Sequence, residues 1–187
     1  MVNEHEAAVL WFTGLSGAGK TTIATAVERE LRNRGSRTEL LDGDAVRQLS
    51  PTGFSREDRD AHVRRVGFLA SRLEHHGVTV ICALISPYAS SRDFVRGLCK
   101  RFVEVHVSTP LVECERRDVK GLYARARRGD IPQFTGIDDP YEPPATPELT
   151  IDTSVMMLDD AVARVLRECE AAGVVGPSTA VAGRDSE

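Results

Sequence analysis

Eight residues between an apolar stretch and an amphipathic stretch constrain this chain more than any other feature. They form the run G-L-S-G-A-G-K-T at residues 14–21, after a strand-like stretch at 9–13 and before a segment of helical character at 22–31. Glycines at three of these positions allow backbone conformations that a side chain forbids, so successive N–H groups can turn towards a phosphate. A helix beginning near Lys20 adds the positive end of its dipole. This arrangement predicts a site for a nucleoside triphosphate.

Two side chains of the loop have predicted chemical roles. Lys20 is placed to reach the β- and γ-phosphates as a point charge. The hydroxyl of Thr21 is placed to coordinate Mg²⁺. The alternative is a glycine-rich turn between a strand and a helix that binds nothing, and the strand and helix on either side favour the phosphate site.

Composition narrows the class of protein. The chain has 187 residues, of which 41% are hydrophobic, and this length suits a single domain with its own core. A net charge of −4 offers no basic face for nucleic acid, so we expect no nucleic-acid partner. Four widely spaced cysteines without a C-x-x-C pair are typical of reduced thiols in a cytoplasmic protein. The sequence contains no apolar run of membrane-spanning length and no signal-peptide pattern, so we expect no membrane association.

Short apolar runs alternate with amphipathic segments along the chain. Strands are predicted at residues 9–13, 38–41, 78–84, 102–107 and 149–151, and helices at 20–34, 56–76, 90–100, 111–127 and 158–172. The continuously apolar strands predict a mostly parallel five-stranded sheet covered on both sides, which is a three-layer α/β/α fold. We expect one domain over residues 1–175, with a mobile lid at about 116–147 and a disordered tail at 176–187.

Candidate groups for catalysis follow the second and third strands. Asp42 and Asp44 come at the end of the second strand, where open α/β sheets bind ligands. We expect Asp44 to accept a hydroxyl proton while Asp42 supports the metal ion. Which aspartate has which role is left open, and D-G-D is also an ordinary turn sequence. Ser86 follows the third strand in the turn I-S-P-Y, which is equally typical of a plain strand ending.

Cationic segments supply candidate anion sites. Near the start of the second predicted helix, Ser55 and Asp58 form an acidic capping box, and Arg59 and Arg64 form a candidate clamp for an anionic acceptor. A solvated face of ion pairs is the alternative. The basic residues at 116–127 precede a proline-rich stretch at 129–147, which is the pattern expected of a lid that excludes water.

With these motifs in view, the chain resembles the adenylylsulfate kinase family of P-loop kinases. G-L-S-G-A-G-K-T-T, L-D-G-D-x-V-R, G-F-S-x-x-D-R, I-S-P-Y, V-K-G-L-Y and F-T-G-I-D-D-P-Y-E-x-P occur in the family's order across residues 9–165. The resemblance implies the P-loop NTPase fold. It also implies transfer of the γ-phosphate of ATP to the 3′-hydroxyl of adenosine 5′-phosphosulfate, and a homodimer.

The resemblance also implies roles for individual residues. ATP with Mg²⁺ would be held by Gly14, Leu15, Ser16, Gly17, Ala18, Gly19, Lys20, Thr21 and Thr22, and Asp44 would be the base. Phe54 and Phe134, taken as two exposed aromatics, would sandwich the acceptor's adenine. Other acceptor contacts would come from Arg59, Arg64, Ile85 and Ser86, and Lys120 and Leu122 would line the lid. Ser86 matches a serine that some family members phosphorylate.

Departures from the family cluster on the acceptor side. The segment between Arg47 and Gly53 is about two residues shorter than the family pattern, and Ala89 follows I-S-P-Y where an arginine is often found. His62 stands where an acceptor-contacting asparagine is usual, and an imidazole cannot reproduce the paired donor and acceptor of an amide. Two alternatives are therefore kept: the same reaction on another adenylylated or nucleotidyl acceptor, and a non-catalytic nucleotide-binding module that regulates a partner.

Overall fold

Alternate residues of the first strand, β1 (Val9–Thr13), face opposite sides of the sheet, and both sides are buried. Val9 and Trp11 belong to one apolar cluster, whereas Leu10 and Phe12 belong to the other. A strand buried on both faces occurs where helices cover both sides of a sheet. The burial of both faces of β1 therefore indicates a sheet with a layer of helices on each side.

The computed structural model describes residues 6–49 and 53–175. The remaining strands in these ranges are β2 (Thr38–Asp42), β3 (Thr79–Ala83), β4 (Phe102–Val107) and β5 (Leu149–Ile151). The helices are α1 (Lys20–Asn33), α2 (Gly43–Leu49), α3 (Arg56–His75), α4 (Ala89–Leu98), α5 (Leu111–Arg117), α6 (Leu122–Arg127) and α7 (Leu158–Ala171).

The five strands form one sheet in the order β2-β3-β1-β4-β5, and every pairing is parallel. One core cluster contains residues of α1 and α7, and the other contains residues of α3 and α4. The predicted α/β fold with a parallel five-stranded sheet is confirmed. Over the ranges that the structure describes, none of the helices is both long and apolar enough to cross a membrane.

Local signals in the sequence placed several element ends correctly. Ser55 and Asp58 form the predicted capping box, since the Ser55 hydroxyl accepts from the Asp58 backbone N–H at 3.1 Å and the Asp58 carboxylate accepts from the Ser55 N–H. Gly35 and Gly77 follow α1 and α3 with φ values of 81° and 78°. These are left-handed conformations that favour glycine after a helix.

The predicted helix over residues 111–127 is wrong in one respect, because two helices occupy that stretch. The chain turns between them with left-handed φ values of 24° at Asp118 and 65° at Gly121. The carboxylate of Asp118 then accepts from the backbone N–H groups of Tyr123 and Ala124, both at 3.0 Å, and so caps the second helix. The short helix α2 was not predicted.

The division into one domain with a mobile lid at about 116–147 stays a prediction. The predicted disordered tail at 176–187 lies outside the described residues.

Candidate active site

Parallel strands bring the ends of β1, β2 and β3 to one edge of the sheet. The phosphate loop at residues 14–21 follows β1, Asp42 ends β2 with Asp44 two residues later in α2, and Ser86 follows β3. This is the edge at which open α/β sheets bind ligands. The fold therefore gathers most of the residues that the sequence singled out.

The backbone of the phosphate loop adopts conformations that require glycine. Gly17 and Gly19 have φ values of 73° and 101°. A Cβ atom on Gly14 would lie 2.4 Å from the carbonyl oxygen of Val107, so β4 leaves no room for a side chain there. Gly19 is also the N-cap of α1, which places the positive end of that helix under the loop.

Hydrogen bonds from behind the loop hold its carbonyl groups. The hydroxyls of Thr109 and Thr153 donate to the carbonyl of Ala18 at 3.0 and 2.9 Å, and the Tyr123 hydroxyl donates to the carbonyl of Ser16 at 2.9 Å. Within the loop the Ala18 N–H donates to the carbonyl of Leu15 at 3.2 Å. Other N–H groups of the loop can turn towards an anion. Sequence reasoning missed Thr109, Thr153 and Tyr123 because they come from segments 90 to 140 residues away.

Lys20 lies inside the loop and is almost fully buried. Its Nζ donates to the carbonyl oxygens of Gly14 and Leu15 at 2.9 and 2.7 Å. Burial is the main cause that lowers the pKa of Lys20 to about 8. The ammonium group is thus held against the carbonyls of the phosphate loop, in surroundings that disfavour an uncompensated charge.

Thr21 and Asp42 meet although they are 21 residues apart. The Thr21 hydroxyl donates to Oδ2 of Asp42 at 2.9 Å. The other carboxylate oxygen accepts from the backbone N–H groups of Asp44 and Ala45, at 2.9 and 3.3 Å, and so caps α2. A hydroxyl and a carboxylate beside the phosphate loop are the oxygen donors that Mg²⁺ prefers, so these residues fit the predicted ion.

Asp44 occupies a different environment from Asp42. It lies in the first turn of α2, is exposed, and forms an ion pair with Lys120 from the turn between α5 and α6. Leu122, also predicted for the lid, is partly buried against the core at the start of α6. The structure therefore brings a predicted lid cation to the predicted base.

Arg59 and Arg64 do not converge on one point. The buried guanidinium of Arg59 donates to the carbonyl of Phe54 at 2.8 Å, to the Thr135 hydroxyl at 2.7 Å, and to the carbonyl of Gln133. Arg64 instead pairs with Asp60 at 2.7 Å and lies over the ring of Phe94 at 4.2 Å. As arranged here, Arg59 joins α3 to the proline-rich loop, and a clamp made by the pair stays a prediction.

The two predicted adenine-binding rings differ in exposure. Phe54 is 54% exposed, and the guanidinium carbon of Arg47 lies 4.8 Å from its ring centroid. Phe134 is only 7% exposed and packs edge-on against Tyr123, with ring centroids 5.1 Å apart. The prediction that both rings are exposed is therefore wrong for Phe134. Arg47 was not among the predicted site residues, although it ends the motif L-D-G-D-x-V-R.

His62 is buried on α3. Burial, assisted by the nearby cation of Arg47, lowers the pKa of His62 to about 4, and hydrogen bonding with the backbone at Gly43 opposes this shift. Among the residues that the structure describes, its Nδ1 atom has no hydrogen-bond partner. The imidazole is therefore neutral near pH 7 and lies beside the turn that carries Asp44.

Ser86 is buried, and its hydroxyl is engaged within the protein. It accepts from the indole N–H of Trp11 at 3.1 Å and donates to the hydroxyl of Thr13 at 2.9 Å. The carbonyl of Ile85 accepts from Thr13 at 2.8 Å. Direct contact of Ser86 or Ile85 with a substrate stays a prediction.

A cleft of about 540 Å³ opens between the phosphate loop and the proline-rich loop. Leu15 lines one side, and the other side is formed by Gly136, Ile137, Asp138, Asp139, Pro140 and Tyr141. The loop on this side is anchored to the rest of the protein, because the Tyr88 hydroxyl donates to Asp139 at 3.0 Å and Arg92 donates to the carbonyl of Glu142 at 2.7 Å.

Comparison with known proteins identifies the family. The family model described as adenylylsulphate kinase matches residues 6–152. A probable adenylyl-sulfate kinase of Pseudomonas aeruginosa is 54% identical over 166 residues, which cover 88% of this chain and 78% of the relative.

Solved structures give the same result. The Mycobacterium tuberculosis APS kinase CysC, in complex with AMPPNP and APS, superposes with a TM-score of 0.84 at 41% identity, covering 88% of this chain and 98% of that one. The hexameric APS kinase from Thiobacillus denitrificans has a TM-score of 0.72 at 38% identity, covering 94% of this chain but 31% of that longer one. By sequence and by fold, this chain belongs to the adenylylsulphate kinase family.

Proposed function

We propose that this protein transfers the γ-phosphate of ATP to the 3′-hydroxyl of adenosine 5′-phosphosulfate, giving 3′-phosphoadenosine 5′-phosphosulfate and ADP. The observation that carries the proposal is the meeting of three features at one edge of the sheet. These are the buried Lys20 in the phosphate loop, the Thr21–Asp42 contact, and the Asp44–Lys120 ion pair.

Donor binding is assigned to residues 14–22. The inward N–H groups of the loop and the N-terminus of α1 would hold the phosphates of ATP, and Lys20 would bind the β- and γ-phosphate oxygens. A phosphate would replace the two carbonyls as the partner of the ammonium group and would supply the negative charge that the buried site lacks. Binding of ATP and the ionisation of Lys20 therefore support each other.

Magnesium is assigned to the same edge. Thr21 and Asp42 would hold the ion beside the donor phosphates, since each presents an oxygen there. When bound, Mg²⁺ would neutralise charge that develops on the transferred phosphoryl group. Asp42 would keep Thr21 oriented, because the remaining oxygen of its carboxylate is fixed by the start of α2.

Asp44 is the better candidate for the base. One carboxylate oxygen of Asp42 accepts from Thr21 and the other from the backbone of α2. Asp44 is instead exposed, and its carboxylate pairs with the long, exposed side chain of Lys120. In the reaction Asp44 would accept a hydrogen bond from the acceptor 3′-hydroxyl and align its oxygen with the γ-phosphate. Lys120, released from Asp44, would bind phosphate oxygens.

The acceptor is assigned to the opposite side of the cleft. Phe54 supplies an exposed ring for stacking on a purine, with Arg47 and Arg59 near it. Phe134 would form the other side of the adenine site once its edge is uncovered. Residues 116–147 would act as the lid that excludes water during transfer.

The proposal also includes an assembly and a cellular location. We expect a homodimer, as the resemblance to the family implies, and size-exclusion chromatography with light scattering would distinguish a dimer from a monomer or a hexamer. A cytoplasmic location is supported by four free cysteines, Cys82, Cys99, Cys114 and Cys169, which is the state that a reducing compartment maintains.

The test is an acceptor panel with purified protein, ATP and Mg²⁺. ADP release is measured with adenosine 5′-phosphosulfate, with AMP, and with other adenylylated nucleotides, and the product is identified by mass. Turnover with adenosine 5′-phosphosulfate at least tenfold above the others supports the proposal. A higher rate with another nucleotide would identify that nucleotide as the acceptor. Tight ATP binding without turnover on any acceptor would favour a regulatory module.

A further inference from the structure

A buried chain of hydrogen bonds runs from β1 to the proline-rich loop. The indole N–H of Trp11 donates to Ser86, the Ser86 hydroxyl donates to Thr13, and the Thr13 hydroxyl lies 3.0 Å from the hydroxyl of Tyr141. Thr13 and Tyr141 are 128 residues apart in sequence. The chain thus joins two segments that no local signal connects.

The direction of each hydrogen bond can be worked out from the number of donors. A threonine hydroxyl has one proton and two lone pairs. The nearest partner of Thr13 is the carbonyl of Ile85 at 2.8 Å, which can only accept, so the single proton of Thr13 is directed there. Both lone pairs of Thr13 then accept, one from Ser86 and one from Tyr141. The hydroxyl of Thr13 is fully satisfied only when Tyr141 donates to it.

Tyr141 is suited to this donor role. Burial raises the pKa of Tyr141 to about 12, so the phenol keeps its proton throughout the neutral range. Its ring stacks on His106, with centroids 5.9 Å apart and planes at 23°. These contacts leave the hydroxyl as the polar end of a side chain that is otherwise fixed by packing.

The position of the link matters for phosphoryl transfer. Thr13 is the residue immediately before Gly14, the first glycine of the phosphate loop. Tyr141 lines the cleft on the side opposite to Leu15. The Thr13–Tyr141 hydrogen bond therefore spans from the base of the donor side to the wall of the acceptor side, where a displacement of 1 Å reduces the rate of an in-line reaction by about a hundredfold.

We propose that Tyr141, acting through Thr13, is a positioning residue that fixes the acceptor wall of the cleft relative to the phosphate loop. Ser86 holds Thr13 in the orientation that can accept from Tyr141. This inference rests on the proposed function, because it concerns the distance between donor and acceptor in that reaction.

The test compares Tyr141→Phe with wild type in the coupled ADP assay. The variant keeps the ring and its packing against His106 but removes the donor to Thr13. We expect kcat to fall about tenfold and the acceptor KM to rise several-fold, while the Kd for a non-hydrolysable ATP analogue stays within twofold of wild type. A general loss of structure would weaken binding of the ATP analogue as well.

Variants of Thr13 provide the matched controls. Thr13→Ser keeps the hydroxyl and is expected to retain near wild-type kinetics. Thr13→Val removes the acceptor, and adding Tyr141→Phe to it should then cost little further activity. If Thr13→Val does not fold, Tyr141→Phe and Thr13→Ser are sufficient to decide.

The outcomes separate this inference from the function on which it rests. Absence of wild-type turnover on adenosine 5′-phosphosulfate overturns the proposed function. Wild-type turnover with unchanged kcat and acceptor KM in Tyr141→Phe overturns the positioning role and leaves the function intact. A parallel loss of ATP-analogue affinity in Tyr141→Phe also overturns the positioning role, since it indicates general loosening.

Discussion

Replacing Lys20 with methionine is expected to abolish activity without destabilising the protein. The Lys20 side chain is buried, and its pKa is lowered from 10.5 to about 8. At pH 7 this difference of about 2.5 pH units corresponds to a cost of about 3.5 kcal/mol for keeping Lys20 charged in the folded protein, at roughly 1.4 kcal/mol per pH unit. Methionine removes this cost and retains a similar apolar stem.

The opposing effect is the loss of two hydrogen bonds. The carbonyls of Gly14 and Leu15 each lose a donor, at about 1 kcal/mol apiece. The balance is a stabilisation of about 1.5 kcal/mol, which corresponds to a rise in Tm of roughly 3–6 °C for a chain of this size. The rate is expected to fall at least ~100-fold, because a preorganised charge aimed at the transferred phosphate is lost.

The pH dependence gives a second measurement. The unfolded chain keeps the Lys20 proton up to about pH 10.5, whereas the folded protein releases it near pH 8. Between these values the unfolded state binds more protons, so this contribution makes the wild-type protein more stable as the pH rises. The methionine variant should lack that rise.

The assays are thermal unfolding at pH 7 and pH 9.5 and coupled ADP release. Lys100→Met is the matched control, because Lys100 is exposed and precedes β4 at the opposite edge of the sheet from the phosphate loop. A Tm for Lys20→Met several degrees below wild type at pH 7, or activity within tenfold of wild type, would refute the reasoning.

Three further predictions concern the catalytic edge and its neighbour His62. Asp44→Asn should lower kcat by about 10²–10³ with unchanged ADP affinity, measured by turnover and calorimetry, since it removes the base but little binding. Thr21→Val should lower activity and raise the Mg²⁺ concentration needed for half-maximal rate, whereas Thr21→Ser should not, as a magnesium titration would reveal. The wild-type protein should lose stability as the pH falls from 6.5 towards 4, because the depressed pKa of His62 makes the unfolded chain bind the proton first. His62→Gln should lose less between pH 7 and pH 5 in urea unfolding, and an equal loss in both proteins would contradict the assignment.

Much of the fold could be predicted because its signals are local. The apolar runs that became β1, β4 and β5 have the predicted bounds, and the capping box at Ser55 and Asp58 needs only four consecutive residues. The break at Asp118 could not be predicted in the same way. Residues 111–127 have helical spacing throughout, and the turn forms where Tyr123 can reach the carbonyl of Ser16.

The same distinction between local and distant signals applies to the residues of the candidate site. Lys20 and Thr21 belong to a loop whose conformation is dictated by its own glycines, and Asp42 ends the strand next but one to β1 in the sheet. Their proximity therefore follows from the motif and the strand order. Arg59 was expected at an open anion site, yet its donors are taken by residues 133–135. A guanidinium has five donors, and its partners depend on which distant carbonyls the fold brings near.

By itself, the sequence determined the phosphate loop, the alternation of strands and helices, and the family, because backbone preference, hydrophobic period and motif spacing act over a few consecutive residues. Only the tertiary structure decided that Phe134 is buried, that Lys120 pairs with Asp44, and that the hydroxyls of Thr13 and Tyr141 form a hydrogen bond. Lys120 and Asp44 are 76 positions apart, and Thr13 and Tyr141 are 128 positions apart. Burial and hydrogen bonding at such separations are properties of the folded chain as a whole.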